Sequence, residues 1–596
     1  MKKRYLFWLI ISYAFLSQAA CGSGASASKN LPAQPWDTLE ELVSQMTLSE
    51  KVGQMTQAER NDIVKGDITK YALGSVLSGG GSSPSNNTPE GWVNMVNGFM
   101  EESLKTRTGI PLIYGLDAVH GHALLTNAVV FPHNVGLGAI AAGNPERGAQ
   151  AAYTAGRITA EEMRATGVRW NFAPVLGIAE DVRWGRTYES YSENIDIVTL
   201  MGVSAVKGLQ ENGAAACIKH FLGEGQTADG RNQGNAVLDR AGIERILPPY
   251  RAAVQAGALT LMPSFSSVNG VKMHESRDLL TGVLSGELGF EGFIISDWDA
   301  VRQLSGGSYK AQIANAINAG IDMVMATNGR NSWVQFIRHL ESLVNEGTVP
   351  MSRIDDAVLR ILRVKHKMGL FDAPLAKSAG TIGSDASRAA AREMAADSLV
   401  LLRNENNAIA KLPSHSRILV AGQGANDIGM QCGGWTITWQ GSHGPITKGT
   451  TILEGIRAAA DGKTTVTYAA DGKTTGKVEG AFDAVIAVIG ESPYAETEGD
   501  RSGAVTLRQR DRDVLKEVYR YKCPVIVIMV SGRPMAIGDE YLNWDAFVAA
   551  WLLGSEGGGV ADVLFGNRDF LGRTPYTWRK TVNGEILYPF GYGLSK

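Results

Sequence analysis

The chain is poor in cysteine. Four occur in 596 residues, at Cys21, Cys217, Cys432 and Cys523. They are far apart and show no paired spacing, which excludes a cysteine-built zinc site and a disulfide scaffold. Cys217 sits in an apolar run and reads as a small buried hydrophobe. An excess of one charge is also missing. Lys and Arg total 57 against 60 Asp and Glu, for a net charge of -3. That excludes the basic surface of a nucleic-acid binder and the acidic brush of a solvated tail. There is no internal repeat and no low-complexity segment. Gly422-Gln423-Gly424 opens like a dinucleotide loop but lacks the G-x-G-x-x-G spacing, so no cofactor is called for. No metal site is indicated.

Glycine, by contrast, is abundant at 70 residues. The glycines fall at strand ends and between elements, as in an α/β enzyme with many tight turns. The chain is too long for one core, and two or three domains are expected.

The N-terminus reads as an export signal. Lys2, Lys3 and Arg4 precede the apolar run Tyr5 to Leu16, which is too short for a stable membrane anchor. Ala19-Ala20-Cys21-Gly22-Ser23 resembles a bacterial lipoprotein site, in which Cys21 would be acylated. Gln18 departs from that pattern, and cleavage after Ala19 or Ala27 stays open. Any membrane association would run through a lipid on Cys21. The expected location is the periplasm or the outer membrane, or secretion.

Leu39, Leu42, Val43, Met46, Val52 and Met55 mark two amphipathic helices. Short apolar runs then recur at 74–77, 111–116, 169–175, 215–221, 260–265, 292–298 and 322–326, with helical stretches between most of them. This alternation predicts a parallel (β/α) barrel. Seven strands can be placed and an eighth cannot. Asp117, His120, Arg183, Arg186, Lys219, His220 and Asp297 cluster after these runs. In such barrels the C-terminal strand ends form the active site. After helix 354–368, a Pro/Ala/Gly/Ser-rich stretch at 371–384 reads as a linker. Beyond it, strands at 418–422, 466–469, 484–490, 524–532 and 546–553 alternate with helices and predict an open parallel sheet. The expected division is a signal at 1–28, a barrel at 29–370, the linker at 371–384 and an α/β sandwich at 385–596.

Asp297 ends an apolar strand and is followed by Trp298. A carboxylate there can attack an anomeric carbon, and the indole offers a face to a sugar ring. The alternative is an acidic helix cap. Asp117 follows a strand and either accepts two sugar hydroxyls or caps a helix. Lys219-His220 donates to hydroxyls or forms a surface turn. Arg183 and Arg186 bind sugar or pair with Asp181 and Glu189. Glu491 and Glu496 lie where a sheet ligand would bind. Either is a general acid if burial raises its pKa; otherwise the loop is merely solvated. Trp435 and Trp439 stack on sugar or pack in a core.

Seven segments together resemble family 3 of the glycoside hydrolases, in its two-domain β-glucosidase and exo-β-1,3(1,4)-glucanase branch. They are Gly115 to Gly121, Arg183 to Arg186, Lys219 to Phe221, Ser296 to Trp298, Tyr494 to Glu496, Ser531 to Pro534 and Phe590 to Leu594. The resemblance implies a TIM-like (β/α)8 barrel followed by an α/β sandwich, with the active site at their interface. It implies Asp297 as nucleophile and Glu496 as acid/base, with Glu491 the competing acid. Asp117, Arg186, Lys219 and His220 would hold the terminal glucose, and Trp298 and Trp439 would clamp the next sugar. Phe265 departs from the tyrosine of plant relatives. Ala179 and Thr187 stand where those relatives have cysteines, which predicts a less rigid loop. No fibronectin-like third domain is expected after Lys596.

The implied reaction is retaining hydrolysis of β-gluco-oligosaccharides from the non-reducing end. Three other readings compete. A β-xylosidase is disfavoured because Asp117 suits a hexose. A β-N-acetylglucosaminidase is disfavoured because 223–234 contains no histidine. A catalytically silent sugar-binding lipoprotein is disfavoured because both acids are present.

Overall fold

The computed structural model describes residues 38–377, 381–460, 462, 464–476 and 478–595. The segment expected to be an export signal, with Cys21, and residues 378–380 of the expected linker lie outside the described residues. The chain enters through helices Leu39–Gln45 and Leu48–Gln54. Thr47 and Glu50 form a capping box on the second, satisfying two backbone N–H groups that a helix start leaves open.

Eight parallel strands follow: β1 Thr56–Glu59, β2 Ser75–Ser78, β3 Ile113–Leu116, β4 Trp170–Asn171, β5 Ala215–Phe221, β6 Thr260–Pro263, β7 Phe293–Ile294 and β8 Val324–Met325. Each pairs with the next in chain order, and β8 pairs with β1 through Thr56 and Val324. Between β7 and β8 the ladder continues as an Ile295–Met323 bridge. The sheet thus curls back on itself. Helices such as Pro145–Ala165, Ile195–Gln210 and Met351–Lys367 connect or flank the strands.

The barrel strand missed in the sequence is β1, whose residues Thr-Gln-Ala-Glu carry no apolar pattern. All four are buried. Thr56 Oγ1 donates to Val52 O at 2.8 Å, and Gln57 Nε2 donates to Ser75 Oγ at 2.8 Å. Internal hydrogen bonds let a polar strand occupy the barrel wall.

The second unit contains a six-stranded sheet of β9 Val400–Asn404, β10 Arg417–Ala421, β11 Thr465–Ala469, β12 Ala484–Gly490, β13 Val525–Val530 and β14 Ala546–Ala549. The spatial order is β9-β14-β13-β12-β10-β11. The expected all-parallel sheet is corrected here: β9 runs antiparallel to β14 at one edge. The central β12 and β13 are apolar along their whole length and fully buried, as parallel strands covered on both faces are.

The two units share packing. Val135, Ala139, Ala179, Trp184 and Tyr188 of the barrel unit belong to the hydrophobic core of the second. Tyr188 Oη donates to Tyr494 O at 2.7 Å, and Tyr576 Oη donates to Thr187 O at 3.0 Å. Among the described residues no helix is long and apolar enough to cross a membrane.

Candidate active site

Asp117 directly follows β3, Lys219 and His220 are near the C-terminal end of β5, and Asp297 lies just past β7. These strand ends open into a cavity of about 640 Å³. Loops of the second unit wall its other side with Trp435, Trp439 and Glu496. All eight residues predicted for the site line this one space: Asp117, Arg186, Lys219, His220, Asp297, Trp298, Trp439 and Glu496.

Two hydrogen bonds hold Asp297. Its backbone N–H donates to His274 Nε2 at 2.9 Å. His274 is buried and held to about 3 by desolvation, so it is neutral, with its proton on Nδ1. Asp297 Oδ1 accepts the Trp298 N–H at 2.6 Å. Asp297 Oδ2 accepts no hydrogen bond among the described residues, and His220 Nε2 lies 3.5 Å away. Burial, reinforced by the neighbouring charge of Glu496, raises the Asp297 carboxyl to about 7.

The inner end of the cavity is a cluster of buried charges. Lys219 Nζ donates to Asp117 Oδ1 at 2.6 Å. Arg186 Nη2 donates to Glu189 Oε2 at 2.9 Å, and its Nη1 lies 3.2 Å from Glu496 Oε1. His220 Nδ1 lies 2.8 Å from Glu224 Oε2. The two cations, Lys219 and Arg186, are already matched by Asp117 and Glu189. Besides Glu224, which faces His220, Asp297 and Glu496 therefore add two carboxyls without adding a cation. Burial raises both. A buried pair in this condition favours holding one proton between its members.

Glu496 reaches the cavity from a loop that the barrel itself supports. Gly185 fits tightly against it: a Cβ there would lie 1.9 Å from Glu496 O. Asp500 accepts the N–H groups of Gly185 at 2.9 Å and Asn232 at 2.8 Å. Glu496 has φ +53°, a conformation uncommon for a residue with a side chain. Glu491 does not line the cavity. It accepts Tyr494 Oη at 3.0 Å and Gly532 N at 3.1 Å, and pairs with buried Arg533 at 3.2 Å. Arg533 Nη1 also donates to the carbonyls of Val182, Arg183 and Trp184. The Glu491–Arg533 pair thus braces the second unit against the barrel loop. Ala179 and Thr187 are both buried.

The aromatic residues divide by depth. Trp298 is 41% exposed and Trp439 42%, which places both at the rim. Gly79 and Gly80, just after β2, back them: a Cβ on Gly79 would lie 2.7 Å from the Trp298 ring, and one on Gly80 2.6 Å from Trp439 Cβ. Trp435 is buried, with Lys219 Nζ 5.6 Å and the Arg186 guanidinium carbon 5.9 Å from the ring centroid. Phe265 lines the cavity as well, without a hydroxyl.

Two residues expected at the shared mouth are elsewhere. His120 is buried; its Nδ1 is 3.0 Å from Phe131 O and its Nε2 3.0 Å from Thr436 Oγ1, so it joins the barrel to the tryptophan loop. Arg183 turns away to Asp181, at 2.6 Å. Sequence reasoning missed Glu224 and His274. Glu224 lies in a glycine-rich turn and His274 in an isolated short helix, and neither has a local signal.

The profile of the Glycosyl hydrolase family 3 N terminal domain matches residues 47–364, and that of the C-terminal domain matches 399–596. The chain belongs to glycosyl hydrolase family 3. It is 34% identical to the lysosomal beta glucosidase of Dictyostelium discoideum, over 94% of this chain and 74% of that one. It is 28% identical to the periplasmic beta-glucosidase of Salmonella typhimurium, over 93% and 80%. Among solved structures it resembles the exo-1,3/1,4-beta-glucanase of a Pseudoalteromonas species, with TM-score 0.86, 35% identity, and coverage of 94% of this chain and 73% of that one. In family 3 terms, the barrel is the N-terminal domain and the mixed sheet the C-terminal domain. This glycoside hydrolase has its candidate site between them.

Proposed function

We propose that this glycoside hydrolase is an exo-acting, retaining β-glucosidase or exo-β-1,3/1,4-glucanase that releases glucose from non-reducing ends. The observation that carries the reading is that Asp297 and Glu496 reach one cavity from two domains, amid charge balance that favours one shared proton. Ionised Asp297 attacks the anomeric carbon while protonated Glu496 gives its proton to the leaving oxygen. This forms a covalent glycosyl-enzyme. Glu496 then takes a proton from water, whose oxygen displaces Asp297 and restores the β configuration. Such a retaining pair works at a carboxyl separation of roughly 5–5.5 Å.

The Trp298 N–H favours the ionised form of Asp297. Before a sugar binds, Arg186 favours ionised Glu496. A sugar hydroxyl that engages Arg186 weakens this pairing and leaves the proton on Glu496. Asp117 and Lys219, at the buried end, offer an acceptor and a donor to the hydroxyls of one terminal sugar. The exposed tryptophans flank the following unit. A blind end with an aromatic rim supports exo rather than internal cleavage. The export signal and the periplasmic relative support action outside the cytoplasm.

The test is product stereochemistry with a panel of laminaribiose, cellobiose, gentiobiose and xylobiose. The reading expects glucose released first as the β-anomer. Initial α-glucose, or a preference for xylobiose, would overturn it.

A further inference from the structure

A second cavity of about 730 Å³ lies beside the first and shares Trp439 with it. The loop carrying Glu496 divides the two: Glu496 lines the catalytic cavity, while Glu498 and Arg501 line the second. We propose that this second cavity binds the distal sugar units of longer, neutral β-gluco-oligosaccharides whose terminal unit sits between Asp297 and Glu496; the inference rests on the β-glucanase reading.

The lining suits a neutral polyol. Trp439, half-exposed, belongs to both spaces and can stack on a sugar ring as the chain passes its edge. Arg501 Nη1 donates to the carbonyls of Glu498 and Asp500, at 2.9 and 2.8 Å, and no carboxylate pairs with its guanidinium among the described residues. Its Nη2 remains available as a donor. Glu498 is exposed and offers acceptors. The other arginine of this wall, Arg508, is neutralised by Asp511 at 3.0 Å. Gln440 accepts the Ala495 N–H through Oε1 at 2.7 Å, which fixes its side chain in the wall. One free cation beside one free carboxylate leaves little net charge. Donors and acceptors then alternate, as hydroxyls require. These contacts form with the leaving portion of the substrate in both ground and transition states. They should lower KM and leave kcat unchanged.

The test is kcat/KM for the wild type on laminari-oligosaccharides and cello-oligosaccharides of two to six units, with an aryl β-glucoside as reference. Binding in the second cavity predicts a rise of about tenfold beyond three units, the equivalent of one or two net hydrogen bonds, carried by KM. Ala504 is exposed and lines the second cavity but not the catalytic one, so Ala504→Trp puts an indole into the second space. It should abolish the rise while the disaccharide and aryl rates stay at wild-type values. A wild-type rate that does not change with chain length overturns the inference while leaving the catalytic reading intact. A rise that Ala504→Trp leaves in place also overturns it. Failure of the wild type to turn over any β-glucoside overturns the catalytic reading and this inference together.

Discussion

Glu491 and Glu496 are five residues apart, yet the structure predicts opposite consequences for their removal. Glu491→Ala leaves Arg533 buried with no carboxylate partner and removes the acceptor of Tyr494 Oη and Gly532 N–H. Breaking a buried pair from one side costs about 3–5 kcal/mol. Arg533 keeps carbonyl acceptors on Val182, Arg183, Trp184 and Gly499, which places the cost at the lower end. For a domain of this size, 1 kcal/mol moves Tm by about 2–4 °C, so a drop of about 6–12 °C is expected. Glu496→Ala removes a carboxyl that burial disfavours in its charged form, and Tm should hold or rise. Its hydrolysis of disaccharides should fall about 10²–10⁴-fold, the usual contribution of a general acid, while aryl glucosides with good leaving groups lose less. Calorimetry and kinetics with and without azide separate the two. An unchanged Tm in Glu491→Ala, together with activity restored by azide only in that variant, would refute the assignment.

Gly185→Ala places a Cβ against Glu496 O and should displace the Glu496 loop; if Glu496 is the proposed acid/base, kcat on disaccharides should fall about 10²-fold, the effect of an ångström-scale misplacement. A near-normal kcat would show that the loop does not depend on this contact. The acid limb of kcat/KM should lie close to neutral pH. In the proposed mechanism only ionised Asp297 attacks, and burial raises its carboxyl to about 7, so rate is lost as pH falls through that range. In Glu496→Gln, assayed on an activated aryl glucoside, the acid limb should stay in place, because Glu496 is already neutral in the form that reacts and burial is the larger cause of the Asp297 shift, while the alkaline limb set by Glu496 should disappear. Trp439→Ala should raise KM for disaccharides about five- to tenfold with kcat unchanged, matching the loss of one aromatic stacking contact.

The barrel was legible wherever a strand was apolar, and Asp117, Lys219, His220 and Asp297 could be placed at strand ends by that pattern alone. β1 was not legible, because its residues are polar and its stability comes from hydrogen bonds to other segments. β9 escaped for a different reason. Its apolar pattern is ordinary, and its antiparallel direction depends on where the chain re-enters the sheet. Linear spacing could not distinguish Glu491 from Glu496. Burial against Arg533 separates them, and Arg533 is some forty residues away in the chain. His120 shows the converse. Its position after a strand resembled that of a site residue, yet tertiary packing turned it into a link between barrel and tryptophan loop.

The most direct test of Asp297 as the attacking group is to trap its product. Reaction with a 2-deoxy-2-fluoro-β-glucoside bearing a good leaving group, followed by proteolysis and mass spectrometry, should yield one glucosyl adduct on the peptide containing Asp297. An adduct on any other carboxylate, or turnover with no covalent adduct and initial release of the α-anomer, would contradict the account.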